Sequence, residues 1–297
     1  MIRRPPRSTL SSSSAASDVY KRQILICLAI IFLSFESTSI VDAITSEQSL
    51  ISLSSGAFLL EKPAEYSLTF YGFYIMDEDP ETGWCSSEGE ISNHIFVIEL
   101  AEETVLHNLK FDSASVNIKG SAAKDILVEL SNESPTEGFQ EIARISLADQ
   151  KDNQKFPVSS EPSGRWLRLT ILNNYGSSEY TELMDFRAFG EQLTETSLPD
   201  ISGTYVSDYH SDFHLMQQGT SVKGCYEWDE GILTGNFEGR IVKLIWEDSY
   251  GKGPAIMVFS SDGERFFGLW WYEGNEGSQG EIWEGIKQSQ DVGSCPY

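Results

Sequence analysis

From residue 200 to about 286, strand-like runs recur at intervals of roughly ten residues, with glycine between them. The runs are SGTYVSDY, FHLMQQ, SVKGCYEW, GILTGNFEG, RIVKLIWED, AIMVFS and ERFFGLWWYEG. Such spacing leaves no room for helices between strands and predicts antiparallel neighbours joined by tight turns. The preceding half carries the same signal: FVIEL (96–100), DILVEL (125–130), EIARISL (141–147), RWLRLTIL (165–172) and DFRAFG (185–190) are apolar with period-two features. Turn material separates them at Glu88-Gly89-Glu90, Ser134 to Gly138, Pro162-Ser163-Gly164 and Asn173 to Ser178. The fold class expected is all-β. A polar stretch at 193–199, ending in Pro199, reads as a linker between a domain at 44–192 and a smaller antiparallel one at 200–287, with 288–297 as a tail.

Charge removes several functions. With 45 acidic against 21 basic residues the chain carries −24, which repels phosphate backbones and anionic lipid surfaces. A nucleic-acid partner is therefore not expected. Hydrophobic content of 40% with 12% aromatics is enough for a packed core, so wholesale disorder is excluded too.

Residues 1–23, with Pro-Pro, a four-serine run and five of the 21 basic residues, read as a non-native, adapter-like leader. The apolar run at 24–35 has the length of a signal-peptide core and is too short to span a bilayer. Val41-Asp42-Ala43 fits a signal-peptidase site, so 24–43 is expected to be a signal peptide and the protein secreted, extracellular or periplasmic, with no membrane span. In that compartment Cys85, Cys225 and Cys295 make one pair and one leftover. Pairing Cys225 with Cys295 would staple the tail to the second domain and leave Cys85 as a buried or reactive free thiol. No C-x-x-C spacing supports a thiolate zinc site.

The first domain carries a more specific pattern. Asp77 to Trp84 is followed by His94 to Leu100, then Ala123 to Ser131, Gly138 to Ile142, Arg165 to Thr170 and Glu182 to Gly190. In that order these blocks resemble the discoidin-like family, also called F5/8 type C or galactose-binding-like domains. They are closest to the glycan-binding subgroup of secreted NAD-glycohydrolase-type proteins. The resemblance implies a jelly-roll β-sandwich that binds glycan or phospholipid with loops at one end, and a structural calcium at an acidic turn. Carried onto this sequence, the calcium set is Asp77, Asp79 and Thr82, with Asp185 where the family tends to have Glu. Bunched oxygen ligands around Pro80 suit such a hard cation, and they equally suit a plain Asx-type turn. The second domain resembles small lipocalin-like modules through Gly203-Thr204-Tyr205, Gly224-x-Tyr226, Gly235-x-Phe237-x-Gly239 and Phe266-x-Gly268-x-Trp270.

Sugar recognition needs an aromatic face for C–H surface and planar polar groups for hydroxyls. Asn173, Asn174, Tyr175 and Tyr180 on one loop, with His94 closing another, are the expected ligand-binding residues. A glycan or glycoprotein surface is the expected partner and a monomer the expected state. Neither loop offers the exposed apolar spikes with basic neighbours that phospholipid needs. For an enzyme the one cluster to weigh is Asp208, His210, Asp212 and His214, which share a face only if the segment is one extended strand. No G-x-S-x-G, P-loop or G-x-G-x-x-G occurs. The reading is a non-catalytic binding protein; a hydrolase or hydrolase accessory protein using 208–214, and a protein-interaction module, are the alternatives.

Overall fold

A computed structural model of the chain describes residues 48–158, 162–207, 211–276 and 279–295. The expected leader and signal peptide, and with them Cys27, lie outside the described residues, as do Asp208 and His210.

Nine strands come first: β1 (Phe58–Glu61), β2 (Trp84–Cys85), β3 (His94–Asp112), β4 (Asp125–Ser131), β5 (Gln140–Ser146), β6 (Gln154–Pro157), β7 (Ser163–Ile171), β8 (Glu182–Leu183) and β9 (Asp185–Gln192). The long strand β3 organises them. Its first half pairs with β1 and β7, in the order β1-β3-β7-β4-β5, and its second half pairs with β6 and β9. Between Glu99 and Thr104 the register with β7 shifts. An irregularity of this kind bends a strand and lets it pass from one layer of a β-sandwich to the other. Phe96, Ile98, Leu100, Leu109 and Phe111 of β3 meet Val128, Leu169 and Phe186 in the core between the layers. Trp84 is fully buried there, its ring 5.2 Å from Phe96.

The remaining strands close an antiparallel barrel in simple sequence order: β10 (Gly203–Ser207), β11 (Phe213–Gln218), β12 (Ser221–Tyr226), β13 (Gly231–Glu238), β14 (Ile241–Glu247), β15 (Lys252–Phe259), β16 (Arg265–Trp270) and β17 (Glu281–Ser289). Alternation puts Val242, Leu244 and Trp246 of β14 inside and Lys243, Ile245 and Glu247 outside. Eight strands give an interior just wide enough for side chains to fill, and Tyr205, Phe213, Leu215, Met257 and Phe266 fill it. Seven of these strands are the runs marked in the sequence. The eighth, β17, is the one that closes the cylinder, by pairing with both β10 and β16. Gly285 on β17 permits a close approach, since a Cβ there would fall 2.2 Å from the ring of Phe266.

Residues 193–199 contain no strand or helix. Sandwich and barrel nonetheless share one compact unit from Gln48 onward. Val258 and Phe267 on the outer wall of the barrel belong to the sandwich core, with Phe267 4.5 Å from Phe73 and stacked on Tyr71. Because the barrel covers that side of β3, Val97 and Glu99 are buried as well as the core-facing Phe96 and Ile98. Cys225 and Cys295 form a disulfide, and Cys85 is a buried free thiol. Among the described residues no helix is long and apolar enough to cross a membrane.

Candidate binding site at the loop end of the sandwich

Three segments converge beside the short β2–β8 sheet. The Tyr66 N–H donates to the Cys85 carbonyl at 2.9 Å, Gly89 N–H to Glu179 O at 2.7 Å, and Ser86 N–H to Thr181 O at 2.9 Å. This backbone lacing brings Tyr66 edge-on to Tyr180, ring centroids 5.5 Å apart, and to Phe70 at 6.1 Å. Tyr66 is 57% exposed and Leu68 beside it 74%. The result is an aromatic patch facing solvent, with the Ser67 and Thr69 hydroxyls, bonded to each other at 2.8 Å, on the same turn.

The expected ligand residues divide. Tyr180 belongs to the patch. Asn174 holds its own loop: its amide donates to Ser177 O and Tyr180 O while its Oδ1 accepts from Gly176 N–H. Asn173 is bound to Asp125, donating to its carboxylate at 2.8 Å and accepting from its N–H at 3.2 Å. The Tyr175 hydroxyl donates to Leu147 O. His94 is buried, 4.8 Å from the Trp84 ring, and burial holds its pKa below the ordinary histidine value. Three of the five therefore use their polar atoms to shape the loop, and His94 lies beneath it. Tyr66, Leu68 and Phe70 carry no sequence signal that separates them from Tyr71, Phe73 and Tyr74, the buried residues that follow.

The acidic turn folds on itself. Asp77 Oδ1 accepts from Asp79 N–H at 3.0 Å, Asp79 Oδ1 from Glu81 N–H at 3.0 Å, and Asp77 Oδ2 from the Thr82 hydroxyl at 2.7 Å. Asp185 is fully buried; its Oδ2 accepts from Arg187 Nε at 2.7 Å, and its Oδ1 has no partner among the described residues. The same guanidinium donates to the carbonyl of Glu78, a residue held at φ 67°. The cation between the turn and the last strand is thus Arg187. Among the described residues no three acidic, histidine or cysteine side chains gather as metal ligands. As placed, Asp77, Asp79, Thr82 and Asp185 do not fit a calcium ion: they form an Asx turn latched by an arginine.

Burial also sets how this turn responds to pH. It pushes Asp77 up to about 6, against the hydrogen bonds from Thr82 and Asp79 that pull the other way. Burial likewise raises Glu182, Asp185 and Glu284. A carboxyl raised on folding contributes stability that is complete below its unfolded pKa and lost as pH rises through the folded one. Other carboxyls, among them Asp125 and Asp262, are held below their ordinary values and act in the opposite sense, so the test is a difference: the melting temperature of the parent relative to Asp77→Asn is expected to fall as pH rises from about 4 to about 6. Thermal melts of both proteins across the range decide it. A difference between the two proteins that stays constant or grows in the parent's favour from about pH 4 to 6 would show that Asp77 is not raised.

Of the other acid–histidine cluster, Asp212 and His214 are described. His214 Nδ1 lies 2.9 Å from Thr204 Oγ1, and Gly293 of the C-terminal tail packs against its ring. Arg165 and Arg168 pair with carboxylates: Arg168 holds Glu129 through two bonds of 2.7 and 2.8 Å, and Arg165 reaches Glu102 at 3.3 Å.

The class the fold defines is an all-β protein, a β-sandwich with laced loops followed by a closed eight-stranded barrel. Over residues 74–192 the sandwich matches the Sad1/UNC-like C-terminal family. SUN domain-containing protein 4 of Arabidopsis thaliana is 30% identical over 120 residues, 39% of this chain and 19% of that protein. The SUN domain-containing ossification factor of Homo sapiens is 28% identical over 124 residues, 39% of this chain and 9% of that protein. The chain thus matches about a fifth or less of the length of these relatives. Among solved structures it is similar to the C-terminal domain of a chitobiase from Bacteroides fragilis, at 14% identity and a TM-score of 0.42, covering 50% of this chain and 100% of that one. A family 32 carbohydrate-binding module of Clostridium perfringens NanJ, in complex with galactose, is similar at 9% identity and a TM-score of 0.40, covering 48% and 98%.

Proposed function

We propose that this chain is a non-catalytic binding protein whose sandwich recognises glycan at its loop end. The exposed Tyr66, set edge-on to the half-buried Tyr180, is the observation that carries the reading. Aromatic faces left in water by a folded protein offer the apolar surface against which a sugar ring packs. The neighbouring Ser67 and Thr69 hydroxyls supply polar partners for sugar hydroxyls. A calcium ion takes no part in this reading, because Arg187 already bridges the turn to the last strand. The disulfide supports an oxidising compartment, inside the secretory route or beyond the cell.

The test is a glycan array probed with the protein alongside Tyr66→Ala and Tyr180→Ala. Saturable binding that drops on the order of tenfold or more in each variant is the expected result. Binding unchanged by both variants, or none from folded protein, rejects the site. One observation favours a second reading: Leu68, 74% exposed next to the patch, extends its apolar surface beyond the rings, as at a protein-interaction surface. The Sad1/UNC-like match lies over the same sandwich. Loss of a protein partner, with no glycan bound by the parent protein, would establish that alternative.

A further inference from the structure

One end of the barrel holds a cavity of about 80 Å³ walled by aromatic rings. Tyr226 ends β12, Trp246 lies near the end of β14 and Trp270 ends β16, so the strands deliver their rings to one mouth. Loops between these strands add Trp228, Tyr250 and Tyr272. Trp283 is stacked on Trp270 at 5.6 Å, while three of the rings stand edge to face. Trp246 and Trp270 have centroids 5.2 Å apart at 87°, and Tyr272 lies 5.2 Å from Trp246 and 5.4 Å from Trp270. Gly231 makes room for this arrangement, because a Cβ there would fall 1.9 Å from the Tyr226 ring.

Among the described residues the one carboxylate in the wall is Asp248. Its Oδ1 accepts from the Tyr250 and Gly251 N–H groups at 2.8 and 3.0 Å, and its Oδ2 from the Tyr226 hydroxyl at 2.9 Å. That hydroxyl is held protonated by burial and by the bond to Asp248. The loops around the mouth add Glu227, Asp229, Glu230, Glu247, Glu273 and Glu276. The one basic residue among them is Lys252, which lies 3.5 Å from Glu273. Trp228 is 49% exposed and Tyr250 72%, so large aromatic area stands at the rim instead of in the core.

Each part points to the same ligand chemistry. The faces of Trp and Tyr attract cations through their quadrupoles, most strongly where water is excluded. A carboxylate in the wall adds a full negative charge, and an acidic rim concentrates cations at the mouth. The volume is far below the roughly 300–1,000 Å³ of sites for whole drug-sized ligands, and it suits one compact headgroup. Trp283 also lines the cavity, and its buried indole N–H has no acceptor among the described residues, so a ligand hydroxyl would satisfy it. We propose that the barrel mouth binds a small free organic cation with an alkylated ammonium head, caged by Trp246, Trp270, Tyr272 and Trp228 and held electrostatically by Asp248. This site lies on the barrel and stands or falls independently of the glycan reading.

Titrating the full chain with tetramethylammonium chloride and with choline, followed by tryptophan fluorescence and calorimetry, tests it. Both are expected to bind saturably, and more weakly as salt rises. The neutral isostere 3,3-dimethylbutanol is expected to bind at least on the order of tenfold more weakly than choline. Phosphocholine should also bind more weakly, because its phosphate meets the acidic rim; equal or tighter phosphocholine binding would overturn the free-cation assignment. Trp228→Ala, a change at the surface, should weaken choline roughly 5- to 30-fold, and Asp248→Asn by on the order of tenfold. The asparagine keeps an oxygen for the hairpin N–H groups, so its fold is expected to survive. Equal binding of the neutral alcohol would make the cavity an apolar slot, and displacement of choline by a methyl glycoside would make it a sugar site. Either outcome, or no binding at all, overturns the proposal.

Discussion

Replacing Glu99 with alanine is expected to destabilise the protein by about 3–5 kcal/mol, the range found when one partner of a buried ionic network is removed. Glu99 is 2% exposed on the face of β3 that the barrel covers. Its Oε2 accepts from the Ser261 N–H at 2.8 Å and its Oε1 from the Ser261 hydroxyl, tying the β15–β16 turn of the barrel to the sandwich. Arg165 Nε lies 3.5 Å from the same carboxylate. Arg240 is buried nearby, donates to Phe259 O at 2.9 Å, and is shifted below the ordinary arginine value by burial. Glu102, whose Oε1 accepts from the Ser197 N–H at 2.6 Å, cannot balance both guanidinium groups alone. Without Glu99 two cations share one carboxylate, and the Ser261 N–H loses its acceptor. Glu99→Gln keeps the shape and one acceptor oxygen while deleting the charge, so it should cost less than alanine but still more than about 1 kcal/mol. Urea unfolding monitored by tryptophan fluorescence reads both. A loss under about 1 kcal/mol for the alanine variant would mean that the junction is a solvated surface pair.

That junction also marks where the sequence stops being readable. In FVIEL an acid between apolar residues reads as the solvent-facing position of a half-buried strand. It is buried because a barrel encoded more than a hundred residues later packs on it, and no local pattern carries that. Strand β14 was legible in most positions, since Val242, Leu244 and Trp246 alternate with Lys243 and Glu247, although the outward Ile245, 49% exposed, has the polarity of a core residue. Strand β17 was not: Glu281-Ile282-Trp283-Glu284-Gly285-Ile286 holds two acids and a glycine, and its partner β10 lies at the far end of the domain. Loop residues divide for a different reason. Asn173 and Asn174 have the polarity of sugar contacts, yet an asparagine that shapes a turn has the same composition as one that meets a ligand. Tyr66 and Phe70 sit in an aromatic run whose other members are core, and only the fold decides which rings face water. The acidic turn was found, but the latch on it was not, because Arg187 follows Asp185 on a strand far from Asp77. Trp246 and Trp270 lie in regular strand runs and are buried as such runs imply, while the space that their edge-to-face packing leaves depends on angles.

Removing the Cys225–Cys295 disulfide is expected to produce the second large loss. The two cysteines are separated by 70 residues, and closing a loop of that size in the unfolded chain corresponds to about 4 kcal/mol in the chain-entropy model. The measured loss should fall somewhat short of this, at about 2–4 kcal/mol, because the tail has other anchors. The carbonyl of Asp291 accepts from the Thr204 hydroxyl at 2.7 Å, and Gly293 packs on the His214 ring. Cys225→Ala with Cys295→Ser is the appropriate pair, since Cys225 is buried in β12 and a hydroxyl there would be left without water. The effect should reach the barrel mouth, because Cys225 directly precedes Tyr226, whose ring walls the cavity. Reductant should reproduce the loss in the parent protein without scrambling the pairing. Burial pushes the Cys85 thiol up to about 12, and a thiol with so little thiolate at neutral pH is a poor attacking group for exchange. Thermal melts with and without reductant, together with alkylation of the folded, unreduced protein, check both halves. Rapid labelling of Cys85 in the native state would show that this thiol is not buried, and a melting temperature indifferent to reduction would show that the disulfide does not hold the tail.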